Sequence, residues 1–416
     1  MKNQEQELCL QDLVDWYSGS FIHYACRNGH LKIVEELIEC KADLDVFDED
    51  KKTPLHWMAI EGNAEMAKVL IENGAKIDIA DGRWGSSPLH FAAQEGKIEV
   101  LKILLASGAN IDLKGNQEWT AIHFAADKGH SDIVKLLIEF GSDVNAVTKE
   151  NDTALIDAAY WGHLKVVQIL LAGGANIEAK GNDEGTAIHF ATAKGHSDIV
   201  KLLIEFGSDY NAVSIRGNSV LHIAALNGHL KIVELLFQKG VSLDSKGYRM
   251  YTPLHYAADL GHFEIVKFLV ENGANLNSMD MDRNTSLHLA TITSKFNIEV
   301  IKVLLDHGAD FKLNDNSGRS VLDLCKGNQN GKDVIELILS KMMSSLKLQE
   351  TLEPVQFTLD ECVICDGQRQ EIFSLYPCGH AKTCEICCVK LIFSSDINSV
   401  CPICRCNIIG YSKVYV

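Results

Sequence analysis

The chain has 416 residues, of which 46% are hydrophobic and 23% charged, and it carries a net charge of −17. Six acidic and five basic residues fall in 359–416, so about −16 (50 acidic, 34 basic) sits on the remainder. That balance excludes nucleic acid as the main ligand, because neutralising phosphates needs clustered Lys and Arg, and it favours basic partners. The opening residues, MKNQEQELCLQDLVDW, have neither the basic start nor the apolar run of a secretory signal. No apolar stretch reaches the roughly 18 residues that a membrane helix needs, so no membrane insertion is expected. The 13 cysteines are odd in number, and the chain is too long for a small secreted scaffold. Both facts point to a reducing compartment, cytosol or nucleus.

Residues 1–19 are expected to form an N-terminal capping helix. A repeat follows. TPLHWMAIEGN begins at Thr53, SPLHFAAQEGK at Ser87 and TAIHFAADKGH at Thr120, and the pattern returns at Thr153, Thr186, Ser219, Thr252 and Thr285. A degenerate start lies at Ser20 and another at Ser320. Thr or Ser caps a helix, and Pro54, Pro88 and Pro253 suit the first helical position. The Ala pair after the histidine, as in Ala92 and Ala93, lets helices approach closely. Gly62, Gly96 and Gly129 can end the first helix in a left-handed conformation. Segments such as IVKLLIEFG read as a second, amphipathic helix closed by a glycine like Gly141. No unit can bury its apolar face alone, so stacked units must share a continuous core.

These residues resemble the ankyrin repeat over roughly 17–345. The implied fold is an all-α solenoid of helix–turn–helix repeats with short hairpin loops, about ten units including caps across 20–345. The unit starting at Thr285 has about two extra residues near 291–297, and its turn should bulge. GHSDIVKLLIEFGSD occurs at 129–143 and again at 195–209, which looks like a duplicated pair of units.

The repeat also accounts for the histidines. His23, His56, His90, His123, His189, His222, His255 and His288 share one slot. His30, His130, His163, His196, His229 and His262 follow the turn glycine. Position in the repeat predicts both sets, so they are expected to make structural hydrogen bonds. His307 stands beside a helix-ending glycine, where a cation is favourable. Of the aromatic residues, Trp57, Phe91, Phe124, Phe190 and Tyr256 form a line after the repeat histidine and read as packing. Ankyrin stacks recognise proteins through hairpin tips and exposed faces of the first helices, and these positions should vary between units. Trp84 in a tip, Trp119 before a capping Thr, and Tyr160 with Trp161 in the fifth unit are therefore the candidate substrate-binding residues. Tyr248, Arg249 and Tyr251 decorate a further tip. Trp, Tyr and Arg are the usual energetic anchors of interfaces.

Residues 346–358 carry no repeat signature and contain Pro354. They read as a linker, a short helix and then an extended piece. Then the cysteines gather: Cys362-x2-Cys365-x12-Cys378-x-His380-x3-Cys384-x2-Cys387-x13-Cys401-x2-Cys404. Two thiolates of a CxxC pair can meet one tetrahedral ion, and two pairs fill one Zn²⁺. Spacing alone leaves open whether the four pairs interleave or join as neighbours, as in a zinc ribbon. Cys388 and Cys406 are left over, and Cys388 could compete with Cys387.

The series resembles the C3HC4 RING finger over about 360–407, within an α+β domain at 359–408. The resemblance implies two zinc ions in a cross-brace: Cys362, Cys365, Cys384 and Cys387 on one, Cys378, His380, Cys401 and Cys404 on the other. A segment this short has too little core and uses metal to fold. Sites closed by four protein ligands lack the open position of a catalytic zinc.

RING fingers of this kind are ubiquitin ligases. They hold a ubiquitin-charged conjugating enzyme in a reactive geometry and form no covalent intermediate. The resemblance places Ile364, Leu391 and Pro402 at the conjugating-enzyme contact and Arg405 at the linchpin position, whose fork can donate to both enzyme and ubiquitin. The apolar tail 409–416 resembles those of dimeric RINGs, with Tyr415 at the aromatic position, and implies a homodimer through RING and tail. Two readings stand: an E3 ligase whose ankyrin repeats recruit a protein substrate, or an ankyrin scaffold whose RING serves only dimerisation or protein binding.

Overall fold

A computed structural model describes residues 21–293, 297–326 and 331–349. Residues up to Tyr248 form one compact body, and those from Arg249 onward belong to a second. Among its described residues the first body is a stack of seven helix pairs. Its inner helices are Phe21–Arg27, Pro54–Glu61, Pro88–Gln94, Ala121–Lys128, Ala154–Trp161, Ala187–Lys194 and Val220–Asn227. Each is followed by an outer helix, from Leu31–Glu39 to Leu230–Gln238. In the second body the pairs are Pro253–Asp259 with Phe263–Glu271, Ser286–Ile292 with Ile298–Asp306, and Val321–Lys326 with Gly331–Gln349. The last helix therefore takes in 346–349, the first residues assigned to the linker. The capping helix expected at 1–19 lies outside the described residues, as do 294–296 in the middle of the 291–297 segment where a bulge is expected.

The helices are short, seven to nine residues in most cases, and could not stand alone in water. Packing holds them. Fully buried Leu55, Met58, Leu70, Leu89, Leu101, Leu104, Ile122, Leu137, Leu155, Leu170 and Ile188 run as a continuous seam through the first body. Gly62, Gly129, Gly162 and Gly195 end inner helices at positive φ. Another constraint acts on the same residues. A Cβ on Gly129 would lie 2.6 Å from His163 Nδ1, and one on Gly162 equally close to His196 Cε1. The turn histidine of the next unit closes over Gly129, Gly162 and Gly195, and the Lys97 side chain closes over Gly62, so a larger residue must displace its neighbour.

Two histidine ladders tie unit to unit. In the first, the ring sits at the third helical residue and takes the place that Glu fills in a capping box. His56 Nδ1 accepts from Thr53 N at 3.0 Å while its Nε2 donates to Ser86 O at 3.0 Å in the next tip. His90, His123, His189 and His222 reach Leu113 O, Asp152 O, Ala212 O and Ser245 O in the same way. A carbonyl cannot donate, so Nε2 carries the proton. The second ladder uses the histidine after the turn: His130, His163, His196 and His229 donate to Gln94 O, Asp127 O, Tyr160 O and Ala193 O at 2.8–3.2 Å. Burial pushes His56 and His123 down to about 4, which keeps them neutral donors near pH 7. His307 bonds its own helix instead, through Nδ1 to Val303 O at 2.9 Å.

Tips join by backbone bonds: Gly82 N to Lys51 O, Asn116 N to Trp84 O, Lys149 N to Gln117 O and Ile215 N to Asp183 O. The duplicated pair is visible here. The 3-10 turns Asn116–Glu118 and Asn182–Glu184 are alike, and the isolated bridges Val147–Thr153 and Val213–Ser219 recur with the same step.

Candidate functional site: the aromatic surface of the first body

Trp84 and Trp119 belong to neighbouring tips and line one cleft of about 390 Å³ with Phe91, Gln94, Gln117, Phe124 and Asp127 among its walls. Tip spacing explains the meeting, since the backbone bond from Asn116 to Trp84 sets the two loops side by side. Trp119 is half-buried and stacks against Phe124, ring centroids 5.0 Å apart. Trp84 is 51% exposed, with the Arg83 guanidinium 5.5 Å from its ring centre. Gln117, in the cleft wall, and its neighbour Glu118 hold φ of 55° and 61°. Left-handed non-glycine residues are strained by about 1 kcal/mol each, and the tip keeps that shape because the flanking turns over-determine it.

Tyr160 and Trp161 do not line that cleft. They stack edge to face on each other at 5.0 Å on the helix Ala154–Trp161. Tyr160 is half-buried and leans toward Phe190 at 6.3 Å, with Lys194 Nζ 4.3 Å above its ring. Trp161 is 55% exposed. A surface indole of this size without cover is more than a single scattered apolar residue, because a second indole and a tyrosine stand on the same body. Of the aromatic line, Phe91 and Tyr256 are buried, and Trp57, Phe124 and Phe190 are half-buried. Phe91 and Phe124 meet His56 and His90 edge-on, each pair 5.6 Å apart.

One residue of this region escaped the sequence reading. In the fifth unit, Ile156 stands in the histidine slot and Asp157 in the aromatic slot. Asp157 is 9% exposed, and its Oδ2 has no hydrogen-bond partner. Burial, then the Asp152 and Asp127 carboxylates, pushes its pKa up to about 8. The signal was present in the sequence: ALID breaks the His–aromatic pair that the units on either side keep.

Among the described residues no cluster of His, Cys, Asp and Glu could hold a metal, and no helix is long and apolar enough to cross a membrane. The eight residues expected to ligate zinc, from Cys362 to Cys404, lie outside the described residues, as do Ile364, Leu391 and Pro402, expected at the conjugating-enzyme contact, Arg405, expected as linchpin, and the tail residue Tyr415.

Comparison with known proteins agrees with both halves of the reading. The family model for ankyrin repeats matches 22–115, 89–181, 177–247 and 254–349, and the model for the C3HC4-type zinc finger, the RING finger, matches 358–411. The chain belongs to the ankyrin-repeat family and ends in a C3HC4 RING finger. A RING finger implies zinc held by its Cys and His residues. Among curated proteins the chain is 38% identical over 80 residues to the ADP-ribosylation factor GTPase-activating protein AGD2 of Arabidopsis thaliana, covering 19% of this chain and 10% of that one. It is 43% identical over 51 residues to neurogenic locus notch homolog protein 1 of Danio rerio, covering 12% and 2%. The chain thus spans a tenth or less of these relatives' length. The human ASB11 ankyrin repeat domain, a crystal structure, is 29% identical with a TM-score of 0.49, covering 54% of this chain and 99% of that one.

Proposed function

We propose that the protein is a RING-type E3 ubiquitin ligase whose ankyrin surface recruits a protein substrate. The observation that carries this reading is the coexistence of two things on one chain: a C3HC4 RING finger and an ankyrin stack with uncovered indoles. Seven Cys and one His supply eight ligands, the donor set that two closed tetrahedral zinc sites require. Bound zinc would fold the 359–408 segment and leave transfer chemistry to the charged conjugating enzyme. Ile364, Leu391 and Pro402 would seat that enzyme. Arg405 would donate to enzyme and ubiquitin together and restrain the thioester in its reactive arrangement, an orientation effect. Trp84, Trp119, Tyr160 and Trp161 would grip the substrate.

Single-turnover discharge of ubiquitin from a charged conjugating enzyme to free lysine tests the assignment. Arg405→Ala should lower the discharge rate strongly while leaving zinc content and enzyme affinity in place, because its contacts exist only in the closed arrangement. Ile364→Ala should instead weaken enzyme affinity. Parental discharge by Arg405→Ala overturns the linchpin role.

A further inference from the structure

One small residue opens the Trp84–Trp119 cleft. The positions just before the capping residues Thr53, Ser87 and Thr120 hold Lys52, Ser86 and Trp119. Trp119 lies over Phe124 of its own unit, and Tyr251, at the same position further along, lies over Tyr256 at the same 5.0 Å and the same 55° tilt. Ser86 has no ring to lay over Phe91. A gap is left there, with Trp119 on one side and the long Lys52 side chain reaching Phe91 from the other.

The groups around this gap are donors. Lys52 Nζ lies 5.4 Å from the Phe91 ring centre and 5.7 Å from that of Trp57, and the exposed Arg83 guanidinium lies against Trp84. Among the described residues neither cation has a carboxylate partner, and the indole N–H groups of Trp84 and Trp119 and the amides of Gln94 and Gln117 have no hydrogen-bond partner. The nearby carboxylates are engaged elsewhere. Asp127 has Lys128 at 3.0 Å, and Asp48 accepts from the Trp57 indole at 2.6 Å. Asp81 is buried in the second tip and accepts from Trp84 N and Ser86 N. Glu49 and Asp50 are exposed in the first tip and pair with neither cation. A cation resting on a ring is held in place without spending its N–H donors, which stay free for an acceptor. Exposed charges beyond about 8 Å are screened at physiological salt, so these local donors, and not the −17 of the whole chain, set what the cleft accepts. Phosphate calls for converging cations, whereas these two stand in separate tips and suit the single charge of a carboxylate.

We infer that the gap over Ser86 receives a large apolar side chain from a segment of the recruited protein, and that Lys52 and Arg83 hold an aspartate or glutamate carboxylate next to it in that segment. This inference rests on the reading of the ankyrin surface as the recruitment surface and states what the partner must present.

A random peptide library displayed on phage, selected against the full-length chain, tests it. Wild type is compared with Ser86→Tyr, which plugs the gap with a ring, and with the double variant Lys52→Gln/Arg83→Gln. Circular dichroism first confirms that each keeps its helix content. Wild type should enrich peptides with Asp or Glu at one fixed place beside a large apolar residue. Ser86→Tyr should lose these peptides, and the double variant should keep the apolar preference and lose the acidic one. A synthetic consensus peptide should then bind the wild type roughly tenfold more tightly than its Asn or Gln analogue, and against the double variant that difference should vanish. Enrichment of basic or uncharged peptides, or an acidic preference that survives in the double variant, overturns the carboxylate site and leaves recruitment standing. Unchanged enrichment by Ser86→Tyr overturns the cleft as the place. A phosphoserine peptide bound more than tenfold more tightly than the carboxylate peptide overturns the choice of carboxylate. If no chain enriches any peptide, recruitment by this surface fails, and the inference fails with it. Should Ser86→Tyr lose helix content, Trp84→Ala, at an exposed ring, must weaken the consensus peptide; parental affinity there overturns the cleft.

Discussion

Asp157→Asn should make the protein more stable, and the gain should depend on pH in a particular sense. In the fold, burial raises the Asp157 pKa from an ordinary 3.8 to about 8. A group with a raised folded value contributes its full stability below its unfolded pKa and loses it as pH rises toward the folded one. At pH 7 the unfolded chain ionises this carboxyl freely and the folded chain does not. The gap between 3.8 and 7 corresponds to roughly 4 kcal/mol at about 1.4 kcal/mol per unit, an upper bound. Asparagine removes that linkage but leaves a buried amide short of partners, which returns about 1–2 kcal/mol. The net gain is about 2–3 kcal/mol at pH 7. For a body of this size that raises Tm by roughly 4–10 °C. Thermal melts of wild type and variant, followed by circular dichroism across pH 4 to 8, measure it. The variant should be less stable than wild type by about 1 kcal/mol at pH 4, overtake it at pH ~5, and gain further until the difference levels off at the folded value of about 8. A difference independent of pH, or a variant that is less stable at pH 8, would refute the account of Asp157 as a buried, unpaired acid.

Other substitutions read different parts of the structure. Gly129→Ala must hold a positive φ of 76° and also displace the His163 ring, so it should cost about 2–3 kcal/mol in urea unfolding. Gly141→Ala, at φ 90° with open space around it, should cost only about 1 kcal/mol, and equal costs would show that close approach is irrelevant. Because burial lowers His56 and His123 to about 4, their contribution is complete above pH 6.5 and is lost as pH falls from there to about 4. Urea midpoints of the Asp157→Asn chain should therefore fall over that window at about 1.4 kcal/mol per unit for each such histidine, and a flat profile would argue against neutral ladder histidines. In the tail, Tyr415→Ala should leave zinc content intact and reduce ligase activity by breaking a dimer. Full activity in a monomeric Tyr415→Ala chain would leave Tyr415 as local packing.

The repeat made the helix pairs legible because the same few residues perform the same task in every unit. Thr53 caps and Gly62 ends the helix as read, and His56 makes the structural hydrogen bond expected of it, though its reach to Ser86 O in the next tip was not legible. Trp84 and Trp119 were legible as candidate binding aromatics, but their shared cleft was not. It depends on the bond between two tips, and sequence distance carries no sign of that contact. The strained pair Gln117 and Glu118 gave no warning either, since neither is the glycine or asparagine that usually marks a left-handed turn. Asp157 was hidden for the opposite reason. A consensus draws attention to what recurs, and the informative event in the fifth unit is a loss, ring to carboxylate, at a position that reads as packing everywhere else.

Ligase activity itself is most directly tested by autoubiquitination of the full-length chain with ubiquitin, activating enzyme and a panel of conjugating enzymes. Zinc is measured on the same preparation. The account predicts two zinc ions per chain and ubiquitin conjugates with at least one enzyme of the panel, and it predicts that Cys384→Ser abolishes the conjugates while the ankyrin helices remain. A preparation loaded with two zinc ions that forms no conjugate with any enzyme of the panel would contradict it and leave a scaffold whose RING only binds.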